Sequence, residues 1–70
     1  MAKEAAGAIN RFLETLDQQS RIMFIRRYWH ADSLEELARL FHKSRHYISV
    51  RLSRTRKALR QHLKKEGVFL

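Results

Sequence analysis

Residues 33–59 read SLEELARLFHKSRHYISVRLSRTRKAL, and the fold turns on how that stretch is parsed. Ser33 followed three residues later by Glu36 is a capping box, in which each side chain satisfies the other's free backbone donor. A helix therefore starts at Leu34. Leu34, Leu37, Ala38 and Phe41 form its apolar stripe, and Glu35 and Glu36 suit the positive end of its dipole. His42 and Lys43 interrupt the pattern, and Ser44 offers a second N-cap. From Arg45 a helical pattern runs to about Lys65, with Ile48, Leu52, Thr55, Leu59 and Leu63 as a narrow seam. Two helices joined by a three- or four-residue turn, the second one basic, describe a helix-turn-helix over about 33–57. The small Ala38 sits where the two would approach closely.

The residues before this unit supply two more helices. Ile9, Phe12, Leu13 and Leu16 fall at i, i+3, i+4 and i+7, one stripe of a first helix. Asp17 is placed to cap a second, which carries Ile22, Ile25 and Trp29 on one face, with Met23, Phe24 and Tyr28 widening it. Trp29 reads as core, and Arg26 and Arg27 as the wet side. His30-Ala31-Asp32 breaks that helix. Proline is absent, and the only glycines are Gly7 and Gly67, the latter well placed as the final stop. The expected fold is all-α: one four-helix domain over residues 1–70, without a β-wing.

Composition narrows the function. Seventy residues with 44% hydrophobic and 31% charged positions describe one small soluble globular domain. There is no cysteine, hence no disulfide framework and no thiolate metal site. No apolar run approaches the roughly 18 residues that span a bilayer, and MAKEAAGAINRF does not resemble a secretory signal. A cytoplasmic protein is expected. The net charge of +8 is unevenly spread. Residues 1–42 hold six basic and six acidic side chains, whereas residues 43–65 hold nine basic ones and no acid. Nine cations on one segment repel one another unless a polyanion relieves them, so nucleic acid is the first partner expected and anionic membrane the second.

With the seam inward, a 100° spacing sends His46, Val50, Ser53, Arg54 and Lys57 outward, with Tyr47 and Ser49 on opposite flanks and Arg51 near the buried side. An outward valine among polar neighbours suits contact with a thymine methyl. Ser49, Ser53, His46 and Arg54 suit hydrogen bonds to base edges or phosphates, while Arg56, Lys57 and Arg60 suit phosphate tracking.

The stretch resembles region 4 of bacterial sigma-70 family factors, especially the extracytoplasmic-function group, whose pattern reads E-I-A-x-x-L-G-I-S-x-x-T-V-K-S-R-L-S-R-A-R-x-x-L. Glu36, Ala38, Leu40, Ser44, Arg51, Leu52, Ser53, Arg54, Arg56 and Leu59 match it. Leu16 to Trp29 resembles the family's lead-in helix. His42 stands where the family has its turn glycine, and Lys43, Tyr47 and Val50 also depart from the pattern. A non-glycine residue in a left-handed turn costs about 1 kcal/mol, which leaves room for a turn one residue different. The resemblance implies a domain that reads the promoter −35 element and docks on the β-subunit flap of RNA polymerase. By position it nominates Arg45, His46, Ser49, Val50, Ser53 and Arg54 for DNA, with Arg51 and Lys57 beside them. It nominates Met23, Phe24 and Tyr28 for the flap, and an anti-sigma factor as a further partner. Region 2 is absent, so the chain reads as an excised domain or a stand-alone regulator.

Other classes fare worse. His42 and His46 have a zinc-compatible i, i+4 spacing, but no cysteine or nearby carboxylate joins them, so neither metal nor cofactor is expected. No nucleophile, phosphate loop or paired carboxylates suggest an enzyme. A response-regulator output domain would not carry R-L-S-R-T-R. A phage-type repressor, or a helix regulator unconnected with polymerase, remains an alternative. A lipid-binding helix would want large apolar residues where Thr55 sits.

Overall fold

The structure is a computed structural model and describes residues 2–68. Four helices follow one another: α1 (Ala2–Thr15), α2 (Gln18–Tyr28), α3 (Leu34–Phe41) and α4 (Arg45–Lys65). Among the described residues there is no strand. The expected caps are all made. Asp17 Oδ2 accepts the Ser20 N–H at 3.2 Å, and Ser44 Oγ accepts the Tyr47 N–H at 3.0 Å. Ser33 and Glu36 form the reciprocal box, each bond 3.0 Å long.

Helix α4 is the hub, because it packs on each of the other three. At 21 residues it is about 32 Å long. Its seam is inside: Ile48, Leu52, Thr55 and Leu63 are buried, with Leu59 half-buried. Met23 of α2, Leu37 of α3, and Ile48 and Leu52 of α4 make the central cluster, with Leu34, Ala38, Phe41 and Tyr47 packed around it. Toward the other end Phe12 of α1 meets the Phe24 ring edge-on at 6.4 Å and the His62 ring at 5.5 Å. The Thr55 hydroxyl donates to the Arg51 carbonyl at 2.9 Å, which satisfies the polar member of the seam.

Polar side chains fasten the ends. Arg21 donates to the Leu13 and Leu16 carbonyls, both at 3.1 Å, and so closes the last turn of α1. Arg11 of α1 clasps Glu66 just beyond α4. After α2, buried Asp32 pairs with Arg26 Nε at 2.7 Å, and its carbonyl accepts from Arg27.

The turn between α3 and α4 keeps the three residues His42, Lys43 and Ser44. No shift in its length is needed, because His42 itself takes the left-handed conformation (φ 55°, ψ 44°). The Lys43 N–H then reaches the Ala38 carbonyl at 3.0 Å and the His42 N–H the Arg39 carbonyl, a Schellman ending. Gly67 (φ 71°) performs the same service after α4, with the Val68 N–H bonded to the Leu63 carbonyl.

Helix α2 departs from the sequence reading. Its inward stripe is Ser20, Met23, Phe24 and half-buried Arg27, at i, i+3, i+4 and i+7. Trp29, expected in the core, is 59% exposed, and Ile22 is 39% exposed. Met23 and Phe24, nominated as surface docking residues, are instead buried. The helix turns its less greasy side inward because two members of that side, Ser20 and Arg27, have polar partners there.

Two substitutions test this packing. Leu52→Ala should cost about 2–5 kcal/mol in a urea melt, the usual range for a buried leucine; an unmoved midpoint would contradict the placement of the seam. His42→Gly should raise the midpoint by up to about 1 kcal/mol by relieving left-handed strain, less the entropy glycine adds to the unfolded chain. A lowered midpoint would show that the turn carries no such strain.

Candidate nucleic-acid interface

Burial of the seam leaves the opposite side of α4 free. Arg45, His46, Ser49, Ser53, Arg54 and Lys57 are all exposed, and Val50 is half-buried between them. Periodicity read His46, Val50, Ser53, Arg54 and Lys57 as outward and Ser49 as a flank, and the family resemblance added Arg45. Arg56, Arg60, Lys64 and Lys65 extend the exposed cationic surface toward the carboxyl end. Like charges at i+3 and i+4, such as Arg54 and Lys57 or Arg56 and Arg60, destabilise an isolated helix. Burial of the seam on the other side of α4 is what offsets that repulsion.

The amino-terminal half of α4 is also shaped. Ser44, His46, Tyr47, Val50, Arg51 and Arg54 line an open recess of about 380 Å³. Its lining combines an aromatic ring, a valine and two guanidinium groups. The first turn of α4 has no acidic residue. Arg45 there opposes the helix dipole, an arrangement that an approaching phosphate would relieve. Its contact with Glu35 is a 3.5 Å pair with both side chains 63% exposed, too wet to hold Arg45 against a phosphate.

Arg51 stands apart from the other nominated residues. Its side chain is only 26% exposed. Nη1 donates to the Tyr47 hydroxyl at 2.9 Å, Nη2 donates to the Ser20 hydroxyl of α2, and Asp17 Oδ2 lies 3.7 Å away. The Tyr47 ring takes Lys43 Nζ on its face at 5.0 Å. Periodicity had put Arg51 close to the buried side, but its partner Ser20 lies 31 residues away. No local signal links the two. Tyr28, nominated for docking, is 45% exposed and accepts a bond from Arg56 at 2.7 Å.

Among the described residues no group of three His, Cys, Asp or Glu side chains could hold a metal, and no helix is long and apolar enough to cross a membrane. A protein-family model described as Sigma-70, region 4 matches residues 12–61. The chain belongs to that family. The match runs from Phe12 through the helix-turn-helix to Gln61 and so takes in the last turn of α1, all of α2 and α3, and most of α4. Members of the sigma-70 region 4 family bind DNA within sigma factors or related helix-turn-helix regulators, and DNA binding in transcription is accordingly the function of this region 4 domain. No curated protein and no solved structure was found to match the chain.

Three carboxylates of this region 4 domain are held below their ordinary range. The Ser20 hydroxyl and N–H, then Arg51, act on Asp17; the Ser33 N–H and hydroxyl act on Glu36; and Arg11 acts on Glu66. A carboxylate whose folded pKa is depressed adds stability above its unfolded pKa and loses it as pH falls through the folded one. The melting temperature should therefore hold at neutral pH and fall once pH drops below the ordinary carboxylate range, with a shallower fall in Glu36→Gln. A thermal melt series that stays flat into that acid range would contradict these assignments.

Proposed function

We propose that this domain reads the −35 element of promoters through the amino-terminal half of α4 and joins RNA polymerase at the flap of the β subunit. The observation that carries the reading is the two-sidedness of α4. The same helix that buries Ile48, Leu52 and Thr55 exposes His46, Ser49, Ser53 and Arg54, and no acidic residue lies between 43 and 65. An α-helix with its side chains is about 10–12 Å across and the major groove is about 12 Å wide, so the rod fits with its outer side against the base edges. Arg54 suits guanine, Val50 a thymine methyl, and Ser49 and Ser53 either bases or phosphate. Arg45, Arg56, Lys57 and Arg60 suit the phosphates that set register without reading sequence.

Docking on polymerase is best drawn on α2. Ile22, Tyr28 and Trp29 keep large apolar surface exposed there, and half-buried Ile25 lies between Ile22 and Trp29 on the same helical face. They replace Met23 and Phe24 in that role, and an anti-sigma factor would compete for the same face. The domain does no catalysis in this reading and works in the cytoplasm. The alternative, a free-standing helix-turn-helix regulator, shares the DNA face and lacks the polymerase contact.

Titrating a −35-type duplex should give affinity that falls with salt at a log–log slope of roughly −0.9 per phosphate neutralised. Arg54→Ala and Ser49→Ala should each weaken specific binding by about 1–3 kcal/mol if they pair directly with a base. Undiminished affinity in both folded variants, or equal binding to anionic liposomes, would overturn the placement of α4 in the groove.

A further inference from the structure

We propose that Arg51 is a positioning residue of the reading helix and not a DNA ligand. Clasped to Ser20 of α2 and to Tyr47, it sets the rotation of α4 about its own axis and hence the aim of His46, Ser49, Val50, Ser53 and Arg54. The inference rests on the DNA-reading role of α4.

The seam cannot set that rotation by itself. Contacts among Met23, Leu37, Ile48 and Leu52 are apolar and non-directional, and they tolerate small rolls of one helix on another. A guanidinium fork is directional: its N–H groups lie in one plane at fixed angles. Here one Nη bonds within α4, to the Tyr47 hydroxyl, and the other bonds across to α2, at the Ser20 hydroxyl. Each receiving group is itself fixed. Ser20 is buried, 7% exposed, and its N–H is bonded to Asp17, whose carboxylate stands 3.7 Å from Arg51. The Tyr47 ring packs on the core and is flanked by Lys43 and by Arg51 itself, whose Cζ is 5.7 Å from the ring centre. Arg51 lies in the middle of the reading segment, between Val50 and Ser53. A roll of about 10–20° at that point would carry side-chain tips about 1–2 Å sideways, enough to misalign a base contact.

A phosphate ligand would look different. Arg45, Arg54 and Lys57 are exposed, whereas Arg51 would have to break two hydrogen bonds and leave the Ser20 hydroxyl buried without its donor to reach solvent.

The test compares the full chain with Ser20→Ala, Arg51→Lys, Arg51→Ala and the double variant Ser20→Ala/Arg51→Lys, all at a temperature where circular dichroism shows intact helix. Two labelled duplexes serve as probes: the site that the wild-type chain selects from a randomised pool, and a scrambled duplex of the same composition. Each is titrated between about 50 and 200 mM salt. Ser20→Ala and Arg51→Lys should each lower the preference for the selected site by roughly five- to 100-fold, the equivalent of one aligned base contact. Salt slope and affinity for the scrambled duplex should not change. The double variant should lose no more than the worse single one, since both break the same clasp. Two results would overturn the proposal. One is a slope reduced by about 0.9 in Arg51→Ala with Ser20→Ala binding as wild type, the mark of a lost phosphate contact. The other is full preference retained in both single variants. A wild-type chain that selects no sequence at all would instead remove the reading on which the proposal stands.

Discussion

Burial of one narrow seam on α4 is the constraint from which the rest of the molecule follows. Ile48, Leu52, Thr55 and Leu63 occupy a strip too thin to serve more than one side of a helix, yet α1, α2 and α3 all pack on α4. The three supporting helices therefore gather on one side of the rod, and among the described residues no helix packs on the other. Helix α4 bears eight Lys and Arg side chains and no acid, and like charges one turn apart destabilise an isolated helix. Burial of the seam holds it in shape, and the charge left outside is the surface we propose for nucleic acid. Stability and function thus divide the same helix between its two faces.

Around that seam the polar contacts are few and well placed. Arg21 closes α1, Asp32 with Arg26 and Arg27 closes α2, Ser33 with Glu36 opens α3, and Arg11 with Glu66 ties the first helix to the end of the last. Each sits at a helix end, where unpaired backbone groups would otherwise be left. Arg51 differs from these, since it joins the middle of α4 to the start of α2. That position makes it a control on orientation rather than on helix length.

Much of this was legible in the amino-acid order. Asp17, Ser33 and Ser44 as caps, Gly67 as the stop and the α4 seam all follow from local patterns, because capping and periodicity are interactions within a few residues. The exposure of His46, Ser53, Arg54 and Lys57 follows from the same spacing, whereas Val50, read as outward with them, is half-buried. Helix α2 was not legible in this way. Apolar residues cover more than half its girth, so hydrophobicity alone favoured Ile22, Ile25 and Trp29 for the inside. Two polar side chains, Ser20 and Arg27, decide the matter through partners that sequence order does not reveal. Arg51 shares this difficulty, its partner lying 31 residues earlier. His42 shows the converse: a residue type unusual for a left-handed turn takes that conformation because the cap geometry after α3 demands it.

The central claim is that the free side of α4 is the surface that meets the double helix. Amide chemical shifts of the isotopically labelled chain, followed as duplex DNA is added, test it most directly. The account predicts that the largest changes fall on residues 44–57, with the outward positions leading and the outer face of α2 nearly silent. Changes concentrated around Ile22 and Trp29, with α4 unperturbed, would contradict it.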